Sequence, residues 1–492
     1  MYAANAMLHG IRLNGPHLIE VDPPFLIWFF TLPVLLARVF HISLPQSFRL
    51  FQIVSTTALI AWSATLYRRV CRASLLATWI FTFAMMYVAT GPVSLEDRGQ
   101  REYYVAFLLL PYVLWAAARL RGESLPRAQT LMLVVFAVIA VCLKPQHVID
   151  IVAVEFLVLI RLRSWRAWWR SALLVVILGP VVYLCSVWLF NPSYLHDVVP
   201  LLRDTYWGFD RPWSVVLRGT VKPLLALGMA SLLYLALRRR LRVEPFVAVL
   251  LAISTGALVA YLQQHKGWSY HVLVLQIFSY LAVAVMCLDI AERMVFEHRG
   301  VLLMARTKRL HTAALIAVAV LAFVITGEAR LSHMQPIDYP EKAKSELASI
   351  YSAYPPGTPV SLIAVDAWEW PEVLEQNKVW SSRYNHLWLL PAIVRSQDPL
   401  DPEVAHHLSP AKINELSTLL RQTVAEDLDH WQPSVVVIDP CGVVIDICGG
   451  LSRAGYSGLL DWFARSPQFR EQWSHYRYQK TVGQMQVYTR IG

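Results

Sequence analysis

The chain has 492 residues, of which 56% are hydrophobic and only 16% charged, with a mean hydropathy of +0.44. A soluble domain carries about 25% charged residues, so this composition is incompatible with an ordinary soluble domain, a coiled coil or a disordered chain. The 44 basic and 34 acidic residues give a net charge of +10. Up to Gly327 there are 30 basic and 15 acidic residues, and after it 14 and 19. A basic membrane domain followed by an acidic domain is predicted.

Ten apolar runs predict ten transmembrane helices, since a span needs about 20 residues and flanking Arg or Lys side chains extend shorter ones. The runs are residues 49–67, 73–90, 104–119, 128–143, 148–160, 171–190, 221–237, 245–262, 272–289 and 312–327. Alternate loops contain 19 of the 30 cations, which predicts that those loops are cytoplasmic. The other loops and the tail from Glu328 onward are then external.

The apolar stretch Phe25–Phe40 does not fit this alternation as a further span. It is interrupted by Pro33 and carries Arg38, so we expect a helix that lies in the outer interface. Residues 1–48 are then an external segment, 49–327 the transmembrane domain and 328–492 an external α/β domain. Because an external N-terminal segment needs a helix before it for translocation, we also expect a transmembrane helix upstream of the assigned start.

The tail contains the pattern of a soluble α/β domain. Val360–Val365 and Ser434–Ile438 predict buried strands, and Pro410–Trp431 predicts an amphipathic helix. Tyr476–Lys480 and Met485–Thr489 predict a hairpin around Val482-Gly483. Cys441 and Cys448 either form a disulfide in an oxidising periplasm or remain two buried thiols.

Two acidic clusters are candidate sites on the external side. Glu20 and Asp22 precede Pro23-Pro24 and are suited to binding a sugar, holding a cation or acting as a base, or they form a solvated helix-entry turn. The segment Glu96–Glu102 carries five charges in seven residues, including Asp97 and Arg101. It is either an acid/base and substrate-positioning loop or a set of mutually paired charges.

Two further clusters lie on predicted external loops and supply cations and imidazoles. Lys144-Pro145-Gln146-His147 is followed a turn later by Asp150, and Pro145 opens the backbone there. The segment Gln263–His271 provides His265, Lys266, Trp268, Tyr270 and His271. Lysine is a common partner of phosphate. Trp268 and Tyr270 alone are better explained by the interfacial aromatic belt, whereas the two histidines with Lys266 favour a binding role.

The N-terminal segment resembles the first external loop of the GT-C superfamily of membrane glycosyltransferases, such as protein O-mannosyltransferases and aminoarabinose transferases. The matching residues are Tyr2-Ala3-Ala4, Leu8-His9-Gly10, Pro16 and Glu20-Val21-Asp22-Pro23-Pro24-Phe25-Leu26-Ile27-Trp28. The resemblance implies that a catalytic Asp lies upstream of Tyr2, or that Glu20 or Asp22 replaces it. It implies a second acidic position at Glu102 and Asp97, with Arg101 and Glu96 beside it. Lys144, His265 and Lys266 would contact the lipid phosphate, and His147, Trp268, Tyr270 and His271 would be further substrate-binding residues.

The implied activity is transfer of a sugar from a polyprenyl-phosphate carrier to an envelope glycan, lipid or protein at the outer face of a bacterial inner membrane. The expected partners are this donor, the acceptor and membrane lipids, without nucleic acid. Some members of the superfamily use a divalent metal such as Mg or Mn, and the sequence does not decide this point. Two alternatives remain: a transporter or flippase of a lipid-linked saccharide, and a non-catalytic envelope-assembly protein of the same fold.

Overall fold

A computed structural model describes residues 1–90, 97–164, 171–297, 339–366, 372–401, 406–442 and 446–491. The chain divides into two compact units. The bundle unit comprises Leu50–Cys185 and Arg211–Pro336, and the sheet unit comprises Met1–Arg49, Ser186–Asp210 and Ile337–Gly492. The N-terminal 49 residues therefore pack with the C-terminal part of the chain. The predicted division at 48/49 and 327/328 stays a prediction.

Thirteen α-helices are described before residue 298. They are α1 Tyr2–Leu8, α2 Pro24–Phe29, α3 Thr31–Phe40, α4 Leu44–Cys71, α5 Leu75–Thr90, α6 Arg101–Leu120, α7 Arg127–Leu143, α8 Val148–Leu162, α9 Ser171–Phe190, α10 Val199–Thr205, α11 Trp213–Leu237, α12 Glu244–Gln264 and α13 Leu273–Glu297. Four short turns of 3₁₀- or π-helix connect them: Pro145–His147, Tyr194–Val198, Tyr206–Phe209 and Ser269–Val272.

Seven helices and five strands are described in the C-terminal part. They are α14 Tyr339–Ser352, β1 Pro359–Ile363, α15 Glu372–Glu375, β2 Val379–Trp380, α16 Leu390–Gln397, α17 Pro410–Trp431, β3 Val435–Ile438, α18 Ile447–Arg453, α19 Leu459–Phe463, α20 Pro467–Trp473, β4 Tyr476–Val482 and β5 Met485–Arg490.

The helices fit a helical membrane protein, but the predicted count of ten spans is wrong. Among the described residues five helices are long and apolar enough to cross a membrane, namely α4, α6, α11, α12 and α13 with its preceding turn. The bent pair Ile177–Phe190 and Tyr194–Phe209 makes a sixth if it is one span. Helices α5, α7 and α8 have 16, 17 and 15 residues. They extend roughly 22 to 26 Å, less than the ~30 Å hydrocarbon core. The predicted span 312–327 lies outside the described residues.

The expected interfacial helix Phe25–Phe40 is two helices. Helix α2 begins at Pro24, whose fixed φ suits the first helical position. It ends at Phe29, and α3 follows after Phe30 with Pro33 in its first turn, where a missing N–H costs no hydrogen bond. Leu32, Leu35 and Val39 are exposed on α3, so this helix presents an apolar face of the kind expected at a membrane interface.

Helix α6 is the central element of the bundle unit. Every residue from Glu102 to Arg119 is buried, and the helix packs against α7, α8, α12 and α13. A helix that is apolar on all sides belongs in an interior. Its polar end residues are consequently buried as well, and each needs a partner.

The sheet unit is built on five strands in the order β2-β1-β3-β5-β4. Strands β1, β2 and β3 are parallel, whereas β5 pairs antiparallel with β3 and β4. All four residues of β3 are buried, as expected for a central strand that is covered on both faces. Leu347 and Ile350 of α14 join Val360 and Val437 in one core cluster, and Tyr2 of α1 packs against it.

The C-terminal predictions agree closely with these elements. The helix Pro410–Trp431 has the predicted bounds, and the two buried strands are β1 and β3. The hairpin is confirmed, but Val482 pairs with Met485, so its turn lies at Gly483-Gln484 instead of Val482-Gly483. Cys441 and Cys448, whose pairing the sequence left open, form a disulfide that links the loop after β3 to α18.

The segment Arg383–Trp388 links the N-terminal residues to the sheet. Ile19 donates its N–H to the Arg383 carbonyl oxygen at 2.8 Å, and Leu387 donates to Ala364 at the end of β1 at 2.8 Å. His386 is thereby held inside the sheet unit. Burial lowers the pKa of His386 to about 4, against the opposing attraction of the Asp22 carboxylate.

This shift makes the stability of the sheet unit depend on pH. An unfolded histidine titrates near 6.5, so between roughly 6.5 and 4 the unfolded state binds more protons and stability falls as the pH falls. The loss from His386 reaches about 3 kcal/mol at most. We expect His386→Gln to reduce this acid destabilisation.

The measurement is hydrogen exchange of β3 peptides in the full-length protein, corrected for the intrinsic effect of pH on exchange. His196→Gln is the matched control, because His196 is an exposed histidine of the same unit. An equal pH response in His386→Gln and wild type would contradict the assignment.

Candidate functional site

Three chain segments meet at one end of the bundle unit. The first is the N-terminal turn of α6, the second is the turn between α7 and α8, and the third links α12 to α13. Pro145 forces the middle turn, because the residue before a proline is disfavoured in the helical region, and Lys144 has extended backbone angles of φ −145° and ψ 92°. In the third segment Gly267 has φ +68°, which suits glycine, and His265 ends α12 with φ +53°.

The meeting point is a buried contact between a carboxylate, an ammonium and an imidazole. Lys144 Nζ lies 2.6 Å from Glu102 Oε1, and His271 Nε2 lies 3.5 Å from the same oxygen. Lys144 Nζ and His271 Nε2 are 3.2 Å apart. Glu102 is fully buried, and its Oε2 has no hydrogen-bond partner among the described residues. We call these three residues the charge cluster.

A second buried pair lies next to the charge cluster. His147 Nδ1 is 2.8 Å from Asp150 Oδ2, and both side chains are inaccessible to solvent. The two residues are three positions apart on consecutive helical turns, which places them side by side. His147 is close enough to Glu102 and His271 to act on both electrostatically.

Two further cations and a hydrogen bond complete the arrangement. Arg101 acts electrostatically on both Glu102 and His271, and Lys266 acts on His271. Lys266 is buried. Asp97 is buried too, and its Oδ1 accepts a hydrogen bond of 3.0 Å from Ser269 Oγ. This bond connects the segment before α6 to the turn before α13.

The predicted aromatic residues lie around His271. The ring centroids of Trp268 and Tyr270 are 5.0 and 4.6 Å from that of His271. His265 instead packs on Trp213, with ring centroids 4.3 Å apart. Trp268 and Tyr270 therefore lie beside the charge cluster, whereas His265 contacts α11.

The structure brings together residues from three of the four predicted clusters. Arg101, Glu102, Lys144, His147, Lys266 and His271 form one neighbourhood, with Asp97 bonded to the adjacent Ser269. Glu20 and Asp22 belong to the sheet unit, where Glu20 Oε1 accepts from the Asp22 N–H at 3.3 Å and Asn14 Oδ1 from the Glu20 N–H at 2.8 Å. Glu96 lies outside the described residues. The catalytic and binding roles of all these residues stay predictions.

Sequence reasoning did not assign a role to Asp150 or Ser269. The signal for Asp150 was its spacing of three from His147 across a helix start. For Ser269 there was no signal, since its partner Asp97 is 172 positions away. Glu155 is engaged elsewhere, since it accepts hydrogen bonds from Arg119 and Tyr112, both at 2.5 Å.

The described residues of the charge cluster and its surroundings do not form a divalent metal site. Among the described residues, no group of three His, Cys, Asp or Glu side chains is placed to hold a metal ion. The Glu102 carboxylate faces the Lys144 ammonium instead, which supplies the positive charge beside it. We derive no step through a metal.

No model of a known protein family matches the chain, and no curated protein matches it. The resemblance to the GT-C superfamily therefore stays a hypothesis that rests on the N-terminal residues and on the charged clusters.

Helix packing at Gly256 fixes the position of Asp150. A Cβ at Gly256 of α12 would lie 2.7 Å from the Asp150 Cα and 3.0 Å from the Ile149 carbonyl oxygen, both backbone atoms of α8. Close approach of helices at small residues is typical of membrane bundles. We expect Gly256→Ala to push α8 away and to cost about 1–3 kcal/mol, as overpacking does.

The measurement is the thermal unfolding of the purified full-length protein. Gly228→Ala on α11 is the matched control, because a Cβ there has no neighbour within 4 Å. Alanine favours a helix interior over glycine, so the control should unfold at the wild-type temperature or above it. If the two variants behave alike, the α8–α12 contact is not what fixes Asp150.

Proposed function

We propose that this chain is a membrane glycosyltransferase that moves a sugar from a polyprenyl-phosphate carrier to an envelope glycan, lipid or protein. The observation that carries the proposal is the buried contact of Glu102 with Lys144 and His271 at one end of the apolar bundle. Ionisable groups buried among membrane helices are costly and mark functional sites by default. Pro145 and Gln146 directly follow Lys144 in the chain and are exposed, so the charge cluster lies close to the surface of the bundle.

The excess of cations favours an anionic ligand. Arg101 and Lys144 act electrostatically on the Glu102 carboxylate, and Lys266 acts on the adjacent His271, whereas the Asp150 carboxylate is engaged by His147. An ammonium group is a common partner of phosphate, and it is more effective where water is excluded. A phosphate attached to a membrane lipid matches both this charge and the apolar surroundings.

The same cations suit the chemistry of the transfer. The bond between the anomeric carbon of the sugar and the phosphate oxygen breaks, and its electron pair goes to the phosphate. Cations fixed in place before the reaction stabilise that developing charge. The acceptor hydroxyl supplies the new bond to the anomeric carbon and gives up its proton to a base in the site.

The proposal includes an orientation in which the sheet unit lies outside the cytoplasm. It is supported by the cytoplasmic signal of the arginine-rich loops, and independently by the Cys441–Cys448 disulfide, because such bonds persist in oxidising compartments. The site then faces outward as well, because Lys266 follows α12, a candidate span that begins after an arginine-rich loop.

The test of the activity uses the purified full-length protein with undecaprenyl phosphate linked to mannose, glucose, arabinose or aminoarabinose, and envelope extract as acceptor. We expect release of undecaprenyl phosphate by the wild type. Glu102→Gln or Lys266→Ala should lower it roughly 100-fold, the usual cost of one stabilising group. Glu415→Gln and Lys342→Ala are matched controls with side chains 62% and 72% exposed.

The outcomes separate the alternatives. If the wild type releases undecaprenyl phosphate and the Glu102 and Lys266 variants release it at the same rate, the site assignment is disproved. Absence of release from every donor would disprove the activity. If the protein then carries the lipid-linked sugar across liposome membranes, it is a transporter. If it does neither, the non-catalytic assembly protein is the remaining interpretation.

The orientation is tested by thiol labelling of intact cells with a membrane-impermeant maleimide. Cysteines 441 and 448 should react only after reduction, because both are in the disulfide. Cys441→Ser should leave Cys448 reactive from outside without reduction. Labelling of Cys448 only in permeabilised cells would place the sheet unit in the cytoplasm.

A further inference from the structure

The pair His147–Asp150 has the geometry of an oriented acid–base group. Both side chains are inaccessible to solvent, and Nδ1 lies 2.8 Å from Asp150 Oδ2. An ionised carboxylate only accepts hydrogen bonds, so Nδ1 carries the proton. The neutral ring therefore has its lone pair on Nε2. This is how a carboxylate fixes the tautomer of a histidine that acts as a base.

His147 Nε2 has no hydrogen-bond partner among the described residues, although the side chain is fully buried. Buried polar atoms without partners are costly and rare. A hydroxyl that enters the site would satisfy this atom, and the exposed Pro145-Gln146 turn directly precedes His147.

The neighbouring candidates are less suited to accept a proton. Glu102 lies 2.6 Å from the Lys144 ammonium, which stabilises its ionised form. His271 has its Nε2 3.2 Å from the same ammonium. The titratable groups that act on His147 are Glu102 at the start of α6, Asp150 on α8 and His271 before α13. The cations Arg101, Lys144 and Lys266 act on Glu102 or His271 beside it.

We propose that His147 is the catalytic base of this site and that Asp150 is its positioning residue. The proposal rests on the proposed glycosyl transfer. The acceptor oxygen forms a bond to the anomeric carbon as the bond from that carbon to the phosphate oxygen breaks. The acceptor proton moves to His147 Nε2, and the phosphate leaves with the bonding electron pair beside Lys144. Asp150 stabilises the resulting imidazolium among the surrounding cations.

The test is the pH dependence of undecaprenyl phosphate release by the full-length enzyme. The wild type should lose turnover as the pH falls, because a proton on Nε2 removes the acceptor. His147→Gln should lower kcat by about 100-fold or more with the KM for the lipid donor within about threefold, and this acid limb should disappear. His196→Gln, an exposed histidine, should retain both kcat and the acid limb.

The Asp150→Asn variant tests whether Asp150 acts on the base His147 or only stabilises the fold. Without the carboxylate, protonation of Nε2 becomes harder among three cations, so the acid limb should move to lower pH while kcat falls. Binding of undecaprenyl phosphate, measured separately, reports whether each variant is folded. If His147→Gln fails to bind it, the displacement of the acid limb in Asp150→Asn decides.

If His147→Gln and Asp150→Asn both turn over the donor at the wild-type rate with an unchanged acid limb, the base assignment is overturned and the glycosyltransferase proposal stands. Absence of turnover in the wild type with every donor overturns the proposed function and the base assignment with it.

Discussion

The cost of burying charge inside an apolar bundle governs this structure. Helix α6 is enclosed along its length, so Glu102 and Arg119 near its two ends must find partners within the protein. Glu102 contacts Lys144 and His271, and Arg119 contacts Glu155 at 2.5 Å. These two pairings fix α6 against α7, α8 and the turn before α13. The polar groups at one end then form the candidate site.

The carboxylates that contact the two ends of α6 differ in how completely they are hydrogen-bonded. At the Arg119 end of α6, both oxygens of Glu155 accept from Arg119, at 2.5 and 3.0 Å, and Tyr112 adds a third bond. At the charge cluster, Glu102 Oε2 and His271 Nδ1 have no hydrogen-bond partner among the described residues. The Glu155 carboxylate is thus fully hydrogen-bonded by its neighbours, whereas the Glu102 carboxylate is not.

The sequence predicted the membrane helices, the C-terminal strands and the clustering of charges, because these follow from local pattern. The arginine-rich loops and the Pro145 turn are signals of this kind. It failed on the number of spans, since apolarity alone does not measure helix length, as α8 with 15 residues illustrates. It also could not pair Lys144 with His271, which are 127 positions apart. Such contacts depend on how α6, α7, α12 and α13 pack, and no local signal records that.

Retention of a buried ion pair needs an explanation beyond stability. Replacing such a pair by apolar side chains of similar volume is often neutral or stabilising, whereas removing one partner costs about 3–5 kcal/mol. If the charge cluster exists to bind a lipid phosphate, then stability and binding should respond in opposite ways to its replacement.

The most direct measurement therefore combines thermal unfolding and undecaprenyl phosphate binding in the double variant Lys144→Met/Glu102→Leu. This account predicts an unfolding temperature equal to that of the wild type or higher, with binding of undecaprenyl phosphate lost. Binding at wild-type affinity in the double variant would contradict it, because the charge cluster would then not be the phosphate site.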